Sequence, residues 1–70
     1  MKEAQKFYLN GEEYYTFDSC SLLDLIYYFN YNKSLLVLEH NNFLCSKENW
    51  KDIFIKNNDR IEIVTIVGGG

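Results

Sequence analysis

Residues 6–17 read KFYLNGEEYYTF, two β-prone runs separated by Asn10-Gly11. This pattern is the strongest short-range signal for a β-hairpin, because a type I′ turn needs positive φ at both central residues. A two-residue loop places Leu9 opposite Glu12, and alternation then points Tyr8 and Tyr15 outward. The side chains predicted on the buried face of the hairpin are Phe7, Leu9 and Tyr14.

A short amphipathic helix is predicted after the hairpin. Ser21 is a suitable N-cap, and Asp24 follows three residues later, where a capping box places its acid. The apolar residues of this segment repeat at i, i+3, i+4 and i+7, which forms one stripe. They are Leu22, Leu25, Ile26 and Phe29. The helix is expected to run for about two to three turns, to end at residues 30–33, and to pack on a sheet.

The second half of the chain alternates apolar runs with polar turns. Strands are predicted at residues 35–39 and 60–67, with a short returning strand at residues 43–45. Trp50 lies in a polar stretch and is expected to anchor a loop or helical turn on the core. A hairpin, one helix and further strands predict an α+β fold of the β-grasp type, with a mixed four- to five-stranded sheet. Its first and last strands are expected to be parallel neighbours.

Size and charge limit the functions of this chain. Seventy residues support one domain, expected over residues 1–67, with little volume for a substrate cleft. A net charge of -3 and the lack of a basic stripe argue against nucleic-acid binding. The apolar runs are far shorter than the roughly 18 residues that cross a bilayer. No signal peptide is expected, because the N-terminus lacks an apolar segment.

Side chains that could bind a metal are few. The chain has one histidine, His40, and two cysteines, Cys20 and Cys45, without a CxxC spacing. No metal site is expected, since a closed zinc site needs four ligands at characteristic spacings. The cysteines are interpreted as reduced, half-buried small hydrophobes, with a disulfide as the less favoured alternative. His40 is expected to be a solvated residue at a strand end.

Glycine is concentrated at the C-terminus, where three of the four glycines are the last three residues. Two turn positions where positive φ is expected carry asparagine instead, Asn42 and Asn58. Three extended residues reach about 10 Å and, without side chains, can thread a narrow channel in another protein. We therefore expect a flexible tail at residues 68–70, in which Gly68 and Gly69 thread and the carboxylate of Gly70 reacts to form an acyl-adenylate. The alternatives are a tail without a role and the remnant of a tag.

The last predicted strand also suggests a docking surface. Alternation places Ile61 and Ile63 on one face, and the other face carries Arg60, Glu62, Val64 and Ile66. If the first pair is buried, the second set lies exposed beside the reactive end. We hypothesise that partner enzymes bind there, against Val64 and Ile66 with Arg60, Glu62 and Tyr8 at the rim. The alternative is an ordinary sheet surface.

Four segments of the chain resemble the ThiS family, the sulfur carrier proteins of thiamine biosynthesis within the ubiquitin-like β-grasp group. Residues 9–12 match its Asn-Gly-Glu start, and residues 21–26 match its Thr-Leu-x-x-Leu-Leu helix start. Residues 39–50 echo Glu-x-Asn-Gly-x-Ile-Val-Pro-Arg-x-x-Trp, and residues 58–70 match Gly-Asp-x-Ile-Glu-Ile-Val-x-x-Val-Gly-Gly-Gly. The departures are asparagines at two turn glycines, Ser46 for the proline, and Lys47 for the arginine, which removes a bidentate donor.

The resemblance implies a carrier that other enzymes modify. A ubiquitin-activating-type adenylyltransferase (ThiF-like) would use ATP to adenylate Gly70, and a persulfide sulfur donor would convert it to a thiocarboxylate (1-thioglycine). Thiazole synthase (ThiG-like) would then take the sulfur. No bound cofactor, nucleic acid or membrane is implied. The expected location is cytoplasmic, or the plastid stroma if the gene is organelle-encoded, as the abundance of asparagine and tyrosine hints.

Three other functions remain open from the sequence. One is a sulfur carrier like the small subunit of molybdopterin synthase, and another is a ubiquitin-like modifier joined through Gly70 to protein lysines. The third is a noncovalent adaptor with an inert tail. Deletion of Gly70 would leave an adaptor functional but would inactivate a carrier.

Overall fold

The computed structural model describes residues 4–17 and 19–66. Its elements in chain order are β1 (Gln5–Leu9), β2 (Glu12–Thr16), α1 (Leu22–Tyr28), β3 (Leu36–His40), β4 (Phe43–Cys45) and β5 (Asp59–Thr65). Short 3-10 turns lie at Lys33–Leu35 and Lys47–Asn49. The five strands form one sheet in the order β2-β1-β5-β3-β4, in which β1 and β5 are parallel and the other neighbours are antiparallel. The predicted mixed sheet with one helix and parallel first and last strands is confirmed, with five strands.

The β1–β2 hairpin has the predicted turn and register. Asn10 and Gly11 adopt φ values of 51° and 84°, and Leu9 lies opposite Glu12. Phe7 and Leu9 are buried, and the Tyr14 ring stacks on Phe7 with centroids 5.8 Å apart. The local sequence thus determines this element, because a two-residue turn with positive φ at both positions matches the twist of the paired strands.

Helix α1 begins with the predicted capping box. Ser21 Oγ accepts a hydrogen bond from the Asp24 N–H at 3.0 Å, and Asp24 Oδ2 accepts one from the Ser21 N–H at 3.0 Å. These two bonds satisfy backbone donors that have no partner within the helix. The helix ends at Tyr28, and Phe29 packs edge-on against Tyr14 with centroids 5.3 Å apart.

The core lies between α1 and one face of the sheet. Leu22, Ile26 and Ile61 are completely buried there. Trp50 is only 1% exposed, and its Nε1–H donates to the Cys45 carbonyl at 3.1 Å. Trp50 follows the 3-10 turn at Lys47–Asn49, so the predicted anchor of a helical turn is confirmed.

Three sequence-based expectations differ from the structure. The last strand runs from Asp59 to Thr65 and does not include Ile66, whereas residues 60–67 were predicted. Leu35 was expected in a strand, but it closes the 3-10 turn before β3 and is 44% exposed, because Asn32 Oδ1 accepts from the Ser34 N–H and caps that turn. His40 ends β3 as expected but is not solvated: its side chain is 23% exposed, and its Nε2 lies 2.9 Å from Asp59 Oδ2. The reason is long-range, since β3 pairs with β5 and so brings Asp59 to His40.

The two cysteines are free and half-buried, as predicted. Burial raises the pKa of the Cys45 thiol, so this side chain has less thiolate character than an ordinary cysteine. Both thiols act as small apolar side chains at the margin of the core, where Cys20 and Cys45 pack against the buried cluster.

Candidate functional site

Strand β5 is the central strand of the sheet, between β1 and β3. Ile61 and Ile63 point into the core, with exposures of 0% and 7%, while Val64 is 61% and Ile66 51% exposed on the opposite face. The predicted alternation along β5 is therefore correct. We call the sheet face turned away from α1 the outer face.

The outer face carries more residues than the last strand alone predicted. In the strand register, Val37 of β3 lies opposite Val64, and Glu39 lies opposite Glu62. Leu44 of β4 lies opposite Glu39 and is 72% exposed. We define the outer patch by its eight residues: Tyr8, Val37, Glu39, Leu44, Arg60, Glu62, Val64 and Ile66.

Three members of the outer patch escaped the sequence analysis. Val37, Glu39 and Leu44 belong to it only because β3 and β4 lie on one side of β5. Alternation along β3 could have predicted that Val37 and Glu39 point to the outer face, since Leu36 and Leu38 of the same strand are buried on the other face. The order of the strands determines which residues lie beside Val64, and no local sequence pattern predicts that order.

One end of the outer patch is ordered by a cation–aromatic contact. The guanidinium carbon of Arg60 lies 5.8 Å from the centroid of the Tyr8 ring, and Lys6 Nζ lies 5.8 Å from the same centroid. Such contacts contribute about 0.5–1 kcal/mol at exposed sites. The Arg60 backbone N–H also donates to Asn41 Oδ1 at 2.8 Å. Both the backbone and the side chain of Arg60 are therefore held in position.

The middle of the outer patch is acidic. Glu39 and Glu62 are directly opposed on β3 and β5, and neither forms an ion pair with another described residue. Like charges directly opposite on neighbouring strands destabilise a sheet. The protein retains this unfavourable pair beside the exposed Val64 and Leu44, so a binding partner with a cation at this position would relieve it.

The C-terminal tail was predicted to be the reactive end of the chain. Val67 and Gly68–Gly70 lie outside the described residues. The roles of Gly68, Gly69 and Gly70, and the domain boundary at residue 67, therefore remain predictions. The last described residue, Ile66, donates its N–H to the Leu35 carbonyl at 2.6 Å. Hydrogen bonding between these two segments therefore continues one residue past the end of β5 and one residue before the start of β3.

Across residues 4–17 and 19–66, no group of three or more His, Cys, Asp or Glu side chains is placed to hold a metal ion. In the same ranges, no helix is long and apolar enough to cross a membrane.

His40 and Asp59 form a part-buried acid–base contact that the sequence did not predict. Asp59 accepts from His40 Nε2 at 2.9 Å, from Asn41 Nδ2 at 3.1 Å and from the Lys56 N–H at 2.8 Å. Burial raises the pKa of the Asp59 carboxyl, but these hydrogen bonds outweigh it and hold the pKa below its ordinary value of 3.8. The cluster ties the end of β3 to the start of β5, so its role is to fix the sheet.

Known relatives match this chain over most of its length. "Uncharacterized protein ycf40" of Trieres chinensis is 63% identical over 67 residues, which cover 96% of this chain and 92% of that protein. The protein of the same name from Porphyra purpurea is 34% identical over 62 residues and covers 89% of this chain and 87% of its own length. The crystal structure of a thiamine biosynthesis protein (ThiS) from Geobacter metallireducens superposes with a TM-score of 0.76. It is 20% identical and covers 94% of this chain and 100% of its own, which establishes the shared fold.

The sequence model of the ThiS family matches residues 7–70, from the buried Phe7 of β1 to the final glycine. That range includes α1, the outer patch, the glycine run and all of the sheet except Gln5 and Lys6 at the start of β1. The chain therefore belongs to the ThiS family.

Proposed function

We propose that this protein is a sulfur carrier whose C-terminal carboxylate is loaded with sulfur for the thiazole ring of thiamine. Membership of the ThiS family supports a sulfur carrier, a protein that is acted on by enzymes and is not one itself. The observation that carries the proposal is the extent of the family match, which runs through Gly70 and includes all three terminal glycines.

The proposed cycle begins with activation of Gly70. An adenylyltransferase of the ubiquitin-activating type would join the Gly70 carboxylate to the α-phosphate of ATP, which releases pyrophosphate and leaves an acyl-adenylate. The terminal sulfur of a persulfide would then attack the acyl carbon and displace AMP. Cleavage of the resulting sulfur–sulfur bond by a thiol leaves the thiocarboxylate, which thiazole synthase consumes. The absence of side chains at residues 68–70 suits passage into narrow active sites.

The folded domain contributes recognition to this cycle. The outer patch offers Val64 and Ile66 as exposed apolar contacts within a few residues of the tail. Apolar side chains at the centre and polar ones at the rim are the usual arrangement of a protein interface. We propose that both the adenylyltransferase and thiazole synthase bind here, because either enzyme must hold this surface while the tail reaches its active site.

The charges of the outer patch add a requirement on those enzymes. Glu39 and Glu62 face each other, and neither forms an ion pair with another described residue. A partner surface with an arginine or lysine opposite them would remove their mutual repulsion on binding. We therefore expect both enzymes to present a basic side chain next to an apolar contact for Val64.

The experiment that tests the proposed function is mass spectrometry of the purified chain after incubation with ATP, the activating enzyme and a persulfide donor. We expect an intact mass that rises by the difference between sulfur and oxygen. A chain lacking Gly70 is the matched control and should stay unmodified. An unchanged mass for the full chain, or its attachment to lysines of other proteins, would contradict the carrier function.

A second experiment separates docking from chemistry. The substitutions Val64→Asp and Ile66→Asp leave the tail intact, so they should weaken binding to the adenylyltransferase at least tenfold, as expected for charges placed in an apolar contact. Tyr28→Asp is the control, since Tyr28 is 82% exposed on α1 and lies away from the outer face. Unchanged binding of both outer-patch variants would refute the role of this surface while leaving the tail chemistry intact.

We also propose the plastid stroma as the site of action. The relatives named ycf40 are encoded in plastid genomes, which favours this location over the cytoplasm. Immunolocalisation of the protein in cells of its own organism would test the proposal, and a purely cytoplasmic signal would contradict it.

A further inference from the structure

A basic cleft lies beside α1, outside the outer patch. It has a volume of about 520 Å³ and is open to solvent. Its apolar lining residues are Leu23 of α1 and Trp50, which is only 1% exposed and so lies at the bottom. The polar lining residues are Lys33, Ser34, Lys47, Glu48 and Lys51. We call this feature the lysine cleft; the proposed function leaves it without a role.

The lysine cleft lies at the end of the sheet where β5 ends. β3 is antiparallel to β5, so the start of β3 lies beside the end of β5, where Leu36 is opposite Thr65. β4 is antiparallel to β3 and therefore ends there too. The 3-10 turn before β3 carries Lys33, and the 3-10 turn after β4 carries Lys47. The topology thus places these lysines at the same end of the sheet as Ile66, the last described residue.

The lysine cleft is basic although the net charge of the protein is -3. It contains three of the seven lysine and arginine residues of the chain, and Glu48 is the one acid among its described lining residues. The opposed acids of the outer patch, Glu39 and Glu62, lie on a different surface. Two surfaces of opposite charge are therefore present near the end of β5.

The lysine side chains are available to an incoming anion. Lys33 Nζ donates to the Tyr27 hydroxyl at 3.1 Å and lies 5.3 Å from the centroid of that ring, which positions the amine and brings no opposite charge to cancel it. Lys51 pairs with Asp52 at 3.2 Å, but the two side chains are 67% and 69% exposed, and such surface pairs contribute little. Lys47 forms no ion pair with another described residue.

We propose that the lysine cleft binds an acidic segment beside the channel through which the adenylyltransferase receives the tail. This inference rests on the proposed function, in which residues 68–70 enter the active site of that enzyme. Three extended residues reach only about 10 Å, so the enzyme surface around the channel must lie against the end of β5 and its neighbours. Aspartate or glutamate side chains on that surface would pair with the lysines, and complementary charges of this kind steer association.

The lysine cleft would give the complex an orientation that the tail cannot provide. Glycines have no side chains, so contact through residues 68–70 alone would not fix the rotation of the domain about the tail. An acidic group of the enzyme opposite the cleft and a basic group opposite Glu39 and Glu62 fit one rotation, because a half-turn would bring like charges together. The two surfaces together therefore select the correct encounter.

A second copy of the chain is a poorer occupant. Its opposed acids, Glu39 and Glu62, lie on a different surface from its own lysine cleft, so contact between the two surfaces would be heterologous. Heterologous contacts build open chains unless the rotation between copies closes a ring. An acidic segment of the receiving enzyme has no such restriction.

The first test is carbodiimide cross-linking of the full chain to the adenylyltransferase, which joins an amine to a carboxylate only where the two are in contact. Peptide mapping should find Lys33, Lys47 or Lys51 joined to aspartate or glutamate beside the channel of the enzyme. Lys56 is the internal control, since it is exposed and precedes β5, at the opposite end of the sheet. A complex that forms without cross-links from the cleft lysines would overturn the proposal.

The second test is charge reversal, measured as the rate of association with the adenylyltransferase. Lys47→Glu should slow association about threefold at low salt, and its combination with Lys33→Glu should slow it at least about tenfold. The deficit should shrink as salt screens the charges. Lys56→Glu is the matched control: it makes the same change of charge at the other end of the sheet and should leave the rate almost unchanged.

The outcomes separate this inference from the proposed function. If the wild-type chain gains sulfur but Lys47→Glu and Lys56→Glu slow association equally, only the role of the cleft is refuted. If the wild-type chain neither binds the enzyme nor gains sulfur, both proposals are refuted. Unchanged association of the cleft variants, together with binding of ATP alone in the cleft or self-association through it, would assign the cleft to a nucleotide or a second copy and overturn the proposal.

Discussion

Replacement of Asp59 by asparagine perturbs the contact that joins β3 to β5. Asp59 is 7% exposed, and its two oxygens accept three hydrogen bonds, from His40 Nε2, Asn41 Nδ2 and the Lys56 N–H. A carboxylate only accepts hydrogen bonds, so each of these donors fits it. Asparagine has one acceptor oxygen and one NH₂ group, so it cannot satisfy the same three donors.

The structure sets the size of the expected loss. If the asparagine oxygen keeps the Oδ2 position, it retains the bonds from His40 and Lys56, and its NH₂ group then faces Asn41 Nδ2. Asn41 cannot simply turn over, because its Oδ1 already accepts from the Arg60 N–H at 2.8 Å. One bond to a charged group is therefore lost and one buried donor is left without a partner. We expect Asp59→Asn to lower the free energy of unfolding by about 2–3 kcal/mol, a fall in Tm of about 8–24 °C for a domain of this size.

The loss should depend on pH in a defined direction. The pKa of Asp59 is below its ordinary value of 3.8 in the folded protein, so the charged form stabilises the fold. This contribution is complete above the unfolded-state pKa and disappears as the pH falls through the lower folded-state pKa. The difference in the free energy of unfolding between the wild type and Asp59→Asn should therefore keep its full size down to about pH 5 and should shrink at pH values below about 3.9.

Urea unfolding followed by the fluorescence of Trp50, the single tryptophan, measures this difference. Asp52→Asn is the matched control: Asp52 is exposed and pairs only with the equally exposed Lys51, so its loss should cost less than about 0.5 kcal/mol. The reasoning is refuted if the two variants are equally stable, or if the deficit of Asp59→Asn does not shrink in acid.

Two further predictions concern the ends of β1 and α1. Asn10→Gly keeps the positive φ of the turn but removes the Oδ1 acceptor of the Ile63 N–H, 2.8 Å away, so it should lower the free energy of unfolding by about 1–2 kcal/mol; Asn10→Asp, which keeps an acceptor, should recover most of it in the same urea titration. Ser21→Ala breaks the capping box and should cost about 1 kcal/mol. Ser46→Ala is its control, since Ser46 caps a 3-10 turn without a side-chain hydrogen bond, and an equal cost for both serines would contradict the capping argument.

Much of this fold is predictable because its signals are local. The two residues of the Asn10-Gly11 turn determine how β1 pairs with β2. The four residues of the capping box, 21–24, determine where α1 begins. Alternation along β5 separates the buried Ile61 from the exposed Val64 correctly, since successive side chains in a strand must point to opposite faces. The family resemblance is equally readable, as its motifs lie in short continuous segments.

The candidate site was only partly predictable. The exposed residues of β5 follow from alternation, but Val37 and Leu44 join them only through strand order. That order depends on which strands bury their apolar faces together around α1, a property of the whole chain. The apolar groove between β2 and α1 has the same origin, because Phe17 and Tyr28, which both line it, are separated in sequence and come together only when α1 crosses the sheet.

The sequence by itself determined the hairpin, the helix cap, and the family to which the terminal glycines belong. It also determined the positive φ of Asn42 (74°) and Asn58 (71°), which the structure confirms. Each of these depends on residues a few positions apart, where backbone geometry leaves little choice. Only the tertiary structure decided that His40 bonds to Asp59 and that Asn10 and Asn41 cap the backbone of β5. It also decided that two glutamates face each other beside Val64. These contacts join residues 19 to 53 positions apart, which packing of the sheet brings together and no local pattern encodes.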